Sequence, residues 1–318
     1  MAEGKWIEGL TANMSVATAA QRVLSARLSV VDHYLPLACD KPYDDVEHVH
    51  QLRVATRRAN AALRVFAATI PPKLYKEAKQ TLRALRRAAG EARDWDVFLL
   101  ALPTISAFRA PRTKPALDFL IGYACGQRAA AQERLTTAAT EVGPRWAELA
   151  RELPERVRAA TDHGSPPPAT LGELATQQLA ERMRTFTADV EAHPKTPPEL
   201  HALRIAAKRL RYAIEIFADC FPPLLRDTIY PAVETVQELL GGIQDAVVAL
   251  ERLRQVRGML QAILPAQWHR VRPGFDALSA ALRARLPAGK KAFNSWRKDW
   301  LTTIRDLKLA VAAALTTA

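Results

Sequence analysis

Residues 49–66 read VHQLRVATRRANAALRVF, and residues 200–217 read LHALRIAAKRLRYAIEIF. In both, apolar side chains return every three or four positions, which is the period of an amphipathic helix and not the alternation of a strand. When the two are laid over each other at the 151-residue offset that separates His50 from His201, Arg53 falls on Arg204, Arg57 on Lys208, Arg58 on Arg209 and Phe66 on Phe217. The register holds further along: Pro71 and Pro72 meet Pro222 and Pro223, Gly90 meets Gly241, and Asp94 meets Asp245. An ungapped correspondence of that reach reads as an internal duplication.

The helical period continues from Thr11 to the C-terminus in runs of Ala, Leu, Arg, Glu and Gln broken by Pro, Gly and Asp. The expected class is all-α: two antiparallel helical bundles, one per repeat, related by a pseudo-twofold axis and turning equivalent helices toward one shared space. Helices are expected in the first repeat at about 12–38, 45–70, 72–90, 94–109, 114–142 and 144–161. The second repeat is expected to carry them at about 169–191, 197–219, 222–241, 244–263, 266–286 and 289–316. The prolines of HGSPPPA, His163–Ala169, lack amide donors and mark a linker, dividing the chain into 1–162 and 163–318.

Composition narrows the function. Of 318 residues, 45 are Lys or Arg against 33 Asp or Glu, a formal charge of +12 that favours phosphate-rich partners or anionic surfaces. Cys39, Cys125 and Cys220 are isolated and show no CxxC spacing, which argues against a disulfide framework or zinc ribbon and for a reducing cytoplasm. Residues 1–10 do not read as a signal peptide, and no apolar run approaches the ~20 residues of a membrane span, so no membrane placement is expected.

On a helix turning about 100° per residue, Arg53, Arg57 and Arg64 lie within about 60° of His50. Leu52, Ala55, Ala59, Leu63 and Phe66 occupy the other side, so the helix is expected to bury one face and offer a basic stripe on the other. His201, Arg204, Lys208 and Arg211 repeat the stripe, while Arg58 and Arg209 sit nearer its edges. The next helix adds Lys76, Lys79, Arg83, Arg86 and Arg87 within roughly 100° of face. Asp227, Tyr230, Glu234, Gln237 and Glu238 stand at the matching places of the second repeat, so the site is expected to be lopsided toward the first.

Arg presents a planar fork that grips two phosphate oxygens, Lys a mobile point charge, and His a donor that an anion converts into a cation. A basic stripe on a single helix is ordinarily a solvated face. Its recurrence at fixed places in two diverged repeats is not required for solubility and favours a polyanion site. Gly90 with Asp94, and Gly241 with Asp245, read as helix stop and N-cap, with orientation of the basic side chains as the alternative. His48 and His50 are two apart on a helix and cannot share a metal, and no HExxH, Walker lysine loop, GxSxG or acidic triad is present. No catalytic residue, metal or cofactor is therefore expected. Trp268, Trp296 and Trp300 are expected in packing, not base stacking.

These stretches, with LRRAAGEARDWDVF and LLGGIQDAVV, resemble the CHAD family, the conserved histidine α-helical domain, over nearly the whole chain. The resemblance implies paired helical bundles, a central basic groove, non-catalytic binding of inorganic polyphosphate, and a cytoplasmic protein recruited to polyphosphate granules and their associated proteins. It places the family's basic positions on His50, Arg53, Arg57, Arg58, Arg83 and Arg86, and on His201, Arg204, Lys208, Arg209 and Arg211. Asn60 stands where the first motif often carries another base, and Gln244 stands opposite Arg93. Many relatives resemble fusions to a triphosphatase whose ExExK signature is not found here, so a stand-alone binding domain is expected. Binding to nucleic acid through the same charge and processing of polyphosphate are the competing expectations, with no specific nucleic-acid partner expected.

Overall fold

A computed structural model describes residues 5–161 and 170–316. The expected linker lies outside the described residues. Among these residues the regular structure is helical, apart from an isolated antiparallel bridge between Ser15 and Thr170. There, Leu171 N donates to Met14 O at 2.8 Å and Gly172 N to Ala12 O at 2.8 Å.

Among the described residues eight α-helices stand where twelve are expected: α1 (Val16–Asp40), α2 (Glu47–Val65), α3 (Pro72–Ala101), α4 (Lys114–Thr161), α5 (Leu171–Glu191), α6 (Pro197–Phe217), α7 (Tyr230–Ile263) and α8 (Pro265–Thr316). The difference is four fusions. Gly90 and Asp94 lie inside α3, Gly241 and Asp245 inside α7, Pro144 inside α4, and Pro287 inside α8. The stop and N-cap reading of the Gly–Asp pairs is thereby corrected. Intrinsic propensity is a weak prior that tertiary burial overrides. After Pro144, helix α4 continues because Trp146, Leu149, Leu153 and Val157 recur on one buried face.

Real ends have local causes. The Asp45 carboxylate accepts from Glu47 N at 2.8 Å to open α2, whose first turn carries Glu47 and whose last carries Arg64, both favourable to the helix dipole. Pro72 opens α3 at a position that needs no amide donor.

Two compact units form, each from separated stretches of chain: Met1–Ser106, Leu117–Leu179 and Tyr212–Pro223 in the first, and Ala107–Ala116, Ala180–Arg211 and Leu224–Ala318 in the second. In the first unit α2 packs against both α1 and α3. Its apolar face is dry as expected, with Leu52, Ala59 and Leu63 at 0% exposure and Phe66 at 1%. Each of the larger side chains contributes roughly 1.5–3 kcal/mol on burial. In the second unit α7 packs on α8, and Trp296 and Trp300 lie in the core beside Phe186 and Phe293, as expected. Trp268 is half-buried, with the Arg257 guanidinium 5.1 Å from its ring. No helix among the described residues is long and apolar enough to cross a membrane.

Candidate functional site

Burying Leu52, Ala55, Ala59 and Leu63 leaves His50, Arg53 and Arg57 half-buried and Arg64 exposed. Helix α3 buries Ala78, Leu82, Leu85 and Ala89 and presents Arg83 and Arg86 outward. The two helices merge their charges. Burial pushes the Arg86 guanidinium below its ordinary value, and the positive charges of Arg57, Arg64 and Arg83 push it further. Arg57 is lowered in the same direction by burial and by Arg53, against the opposing influence of Tyr212 and Asp94. His50 is lowered by burial first and then by Arg93, with Arg53 and Arg57 adding to the effect and Glu47 opposing it.

These shifts describe one connected field of like charges, with cations crowded in a partly dry place. An anion placed among them would relieve that repulsion. Asp94 touches the cluster, accepting from Arg53 Nη1 at 3.0 Å, so it orients a basic side chain and does not cap a helix. Gly90 is the other neighbour of Arg53: a Cβ built there would lie 3.7 Å from Arg53 Nε, so the guanidinium crosses α3 where no side chain stands.

Other expected members fall elsewhere. Arg58 departs most from the stripe: it is 5% exposed in the core of the first unit, and Glu215 takes its fork. Its immediate neighbour Arg57 remains at the cluster because one helical step rotates the side chain by about 100°. Arg87 is exposed and 3.8 Å from Glu91, one turn along the same helix. Lys79 is exposed with its ammonium 5.4 Å from the Tyr75 ring, and Lys76 is exposed.

The second unit holds the other basic set. Arg204 is half-buried, and its Nη2 lies 3.5 Å from a Cβ built at Gly241, so the pairing of Arg53 with Gly90 recurs at the offset of the sequence repeat. Lys208 is half-buried, while His201 and Arg209 are exposed. Arg211 Nη1 donates to Glu234 Oε1 at 3.5 Å, and the Tyr230 hydroxyl donates to the same oxygen at 3.3 Å. Glu234 matches Arg83 in the repeat, so this set carries its own counter-charge where the first adds a cation.

The CHAD domain family model matches residues 22–254, a span that takes in both basic helices and the Gly–Asp segments after them. The chain belongs to the CHAD domain family. Among solved structures, it resembles the crystal structure of the CHAD domain from the plant Ricinus communis, at 24% identity and TM-score 0.70, over 92% of this chain and 95% of that one. It also resembles PptA from Streptomyces chartreusis, at 18% identity and TM-score 0.64, over 89% of this chain and 99% of that one. At these identities the likeness concerns the fold. No curated protein sequence matches the chain.

Two groups outside the expected set belong to the cluster of this CHAD domain. Arg93 stands seven residues after Arg86 on the same face of α3, with its Nη2 3.8 Å from Glu47 Oε1, and it bears on His50. That spacing was its visible signal, hidden by the expectation of a helix break at Gly90. Tyr212, on α6, is buried at 7% exposure, and its hydroxyl favours the charged form of the Arg57 guanidinium. Nothing local in the sequence ties Tyr212 to Arg57, because the contact joins distant parts of the chain.

Proposed function

We propose that this CHAD domain binds inorganic polyphosphate, without transforming it, through the cluster His50, Arg53, Arg57, Arg64, Arg83, Arg86 and Arg93, and that this binding associates the protein with polyphosphate granules in the cytoplasm. The observation that supports it is the crowding of cations around Arg57, whose charge lowers both Arg86 and His50 and which Arg53 lowers in turn, in a partly buried setting. Cations held this close favour a ligand whose negative charges are equally close and repeat along a chain, and each guanidinium can hold two phosphate oxygens. Nucleic acid would favour exposed rings for base stacking, whereas Tyr212, the ring beside Arg57 and Arg86, is buried. His201, Arg204, Lys208, Arg209 and Arg211 would serve as a weaker set, since Arg211 is already engaged by Glu234.

The test compares two kinds of charge removal. Arg57→Ala with Arg86→Ala is expected to weaken binding of long-chain polyphosphate at least tenfold, an order-of-magnitude expectation for charge-assisted contacts. Arg87→Ala with Lys76→Ala, which removes the same two formal charges from exposed positions, should leave binding nearly unchanged. Equal losses would mean that diffuse charge, not this cluster, attracts the ligand. Displacement by duplex or single-stranded nucleic acid at matched phosphate concentration would overturn the preference for the inorganic polymer, and phosphate release by purified protein would overturn the binding-only reading.

A further inference from the structure

The structure joins two features of α6 that a basic stripe does not need. One is a carboxylate, Glu215, with no solvent exposure of its side chain and with Arg58 and Arg27, themselves 5% and 2% exposed, drawn to it. Arg58 reaches it by two hydrogen bonds, Nε to Oε2 at 2.8 Å and Nη2 to Oε1 at 3.3 Å, and Arg27 Nη2 lies 3.7 Å from Oε2. A two-pronged contact fixes orientation as well as distance, so this pair sets both the rotation and the height of the end of α6 against α2. The other feature is Tyr212, one turn before Glu215 on α6, as Arg57 is one residue before Arg58 on α2. The bond that locks Arg58 to Glu215 thereby fixes the stretch of α6 that carries Tyr212, the group that favours the charge of Arg57.

We propose that Tyr212 is a positioning residue of the polyanion site: its buried phenol, anchored through Glu215, Arg58 and Arg27, holds the Arg57 guanidinium beside Arg86 so that the two forks stand ready before a ligand arrives. This rests on the polyphosphate reading given above. Two guanidiniums repel and, left to themselves, would swing apart into water, so a ligand would have to immobilise them on binding. A neutral acceptor at the base of one fork restrains it without adding a negative charge that would compete with phosphate. Asp94 offers Arg53 the opposite arrangement, a restraint that carries a competing charge. At the matching place of the first repeat stands Ala61, so the prop has no twin there.

The experiment uses the full chain, long-chain sodium polyphosphate, and the variants Tyr212→Phe, Arg57→Ala and their double combination. Tyr212→Phe keeps the ring and its packing and removes the hydroxyl alone. Binding by Tyr212→Phe is expected to weaken about three- to tenfold with an unchanged thermal midpoint, and to show no additional loss once Arg57 is Ala. A purely structural role would lower the midpoint and act equally in both backgrounds, and that result would overturn the inference. Wild-type affinity in Tyr212→Phe beside a clear loss in Arg57→Ala would also overturn it while leaving the polyphosphate reading intact. Absence of binding by the wild-type chain would remove both. Should Tyr212→Phe lose stability as well, Tyr212→His supplies the control: a ring nitrogen that accepts from Arg57 is expected to recover part of the affinity, and no recovery counts against the inference.

Discussion

Arg58 and Glu215 lie 157 positions apart in the chain and meet in a two-pronged ion pair, 2.8 Å and 3.3 Å, from which water is excluded. Removing one member of a buried pair leaves the other charge unsolvated, which costs far more than the pair contributes while intact. Here Glu215 serves two arginines.

Glu215→Ala is therefore expected to lower stability by about 3–5 kcal/mol, read as a fall in the denaturant midpoint. Arg87→Ala, at an 83% exposed side chain, should stay within about 0.5 kcal/mol of the wild type. A loss at Glu215 of under about 1 kcal/mol would show that water reaches the pair after all.

Asp94 occupies one donor of Arg53, and both partners are partly exposed, at 48% and 24%. An exposed pair is worth about 0.2–1 kcal/mol, and a polyanion must give back that amount to recruit Arg53 fully. Asp94→Asn is thus expected to raise affinity for long-chain polyphosphate about two- to fivefold, measured by titration calorimetry. Weaker binding would mean that orientation by Asp94 outweighs its negative charge.

The His50 ring is held below its ordinary value of 6.5, chiefly by burial and then by the Arg93 charge, so it is neutral at pH 7 in the free protein. A bound polyanion acts in the opposite sense and favours the protonated ring. Between the lowered value of the free protein and the raised value of the complex, the complex holds more protons, so affinity must rise as pH falls through that window. Binding measured from about pH 8 down toward about pH 6 should strengthen, and His50→Gln should flatten the profile. A flat wild-type profile would show that the phosphates do not approach His50.

Two glycines separate helix propensity from close packing. A Cβ at Gly90 would meet Arg53 Nε at 3.7 Å, an ordinary contact, so Gly90→Ala inside α3 is expected to gain about 0.5–1 kcal/mol. At Gly274 a Cβ would fall 2.8 Å from the Thr113 carbonyl oxygen and onto the Ala116 Cβ, where the neighbours include fixed backbone. Gly274→Ala should cost about 1–3 kcal/mol by denaturant unfolding. Equal effects of one sign at both places would contradict the close approach of α8 to Thr113 and Ala116.

The sequence by itself determined the helical class, the offset of the repeat and the basic faces of α2 and α3. Periodicity and formal charge are properties of neighbouring residues, so they survive without coordinates. Only the tertiary structure decided that Gly90 and Pro144 do not end their helices, because burial on the far side of the break stabilises the continued helix more than one unfavourable residue weakens it. It alone also separated Arg57 from Arg58. Adjacent and chemically identical, they differ by one step of helical rotation, and which of the two directions is dry depends on Arg27, Tyr212 and Glu215, brought there from elsewhere in the chain.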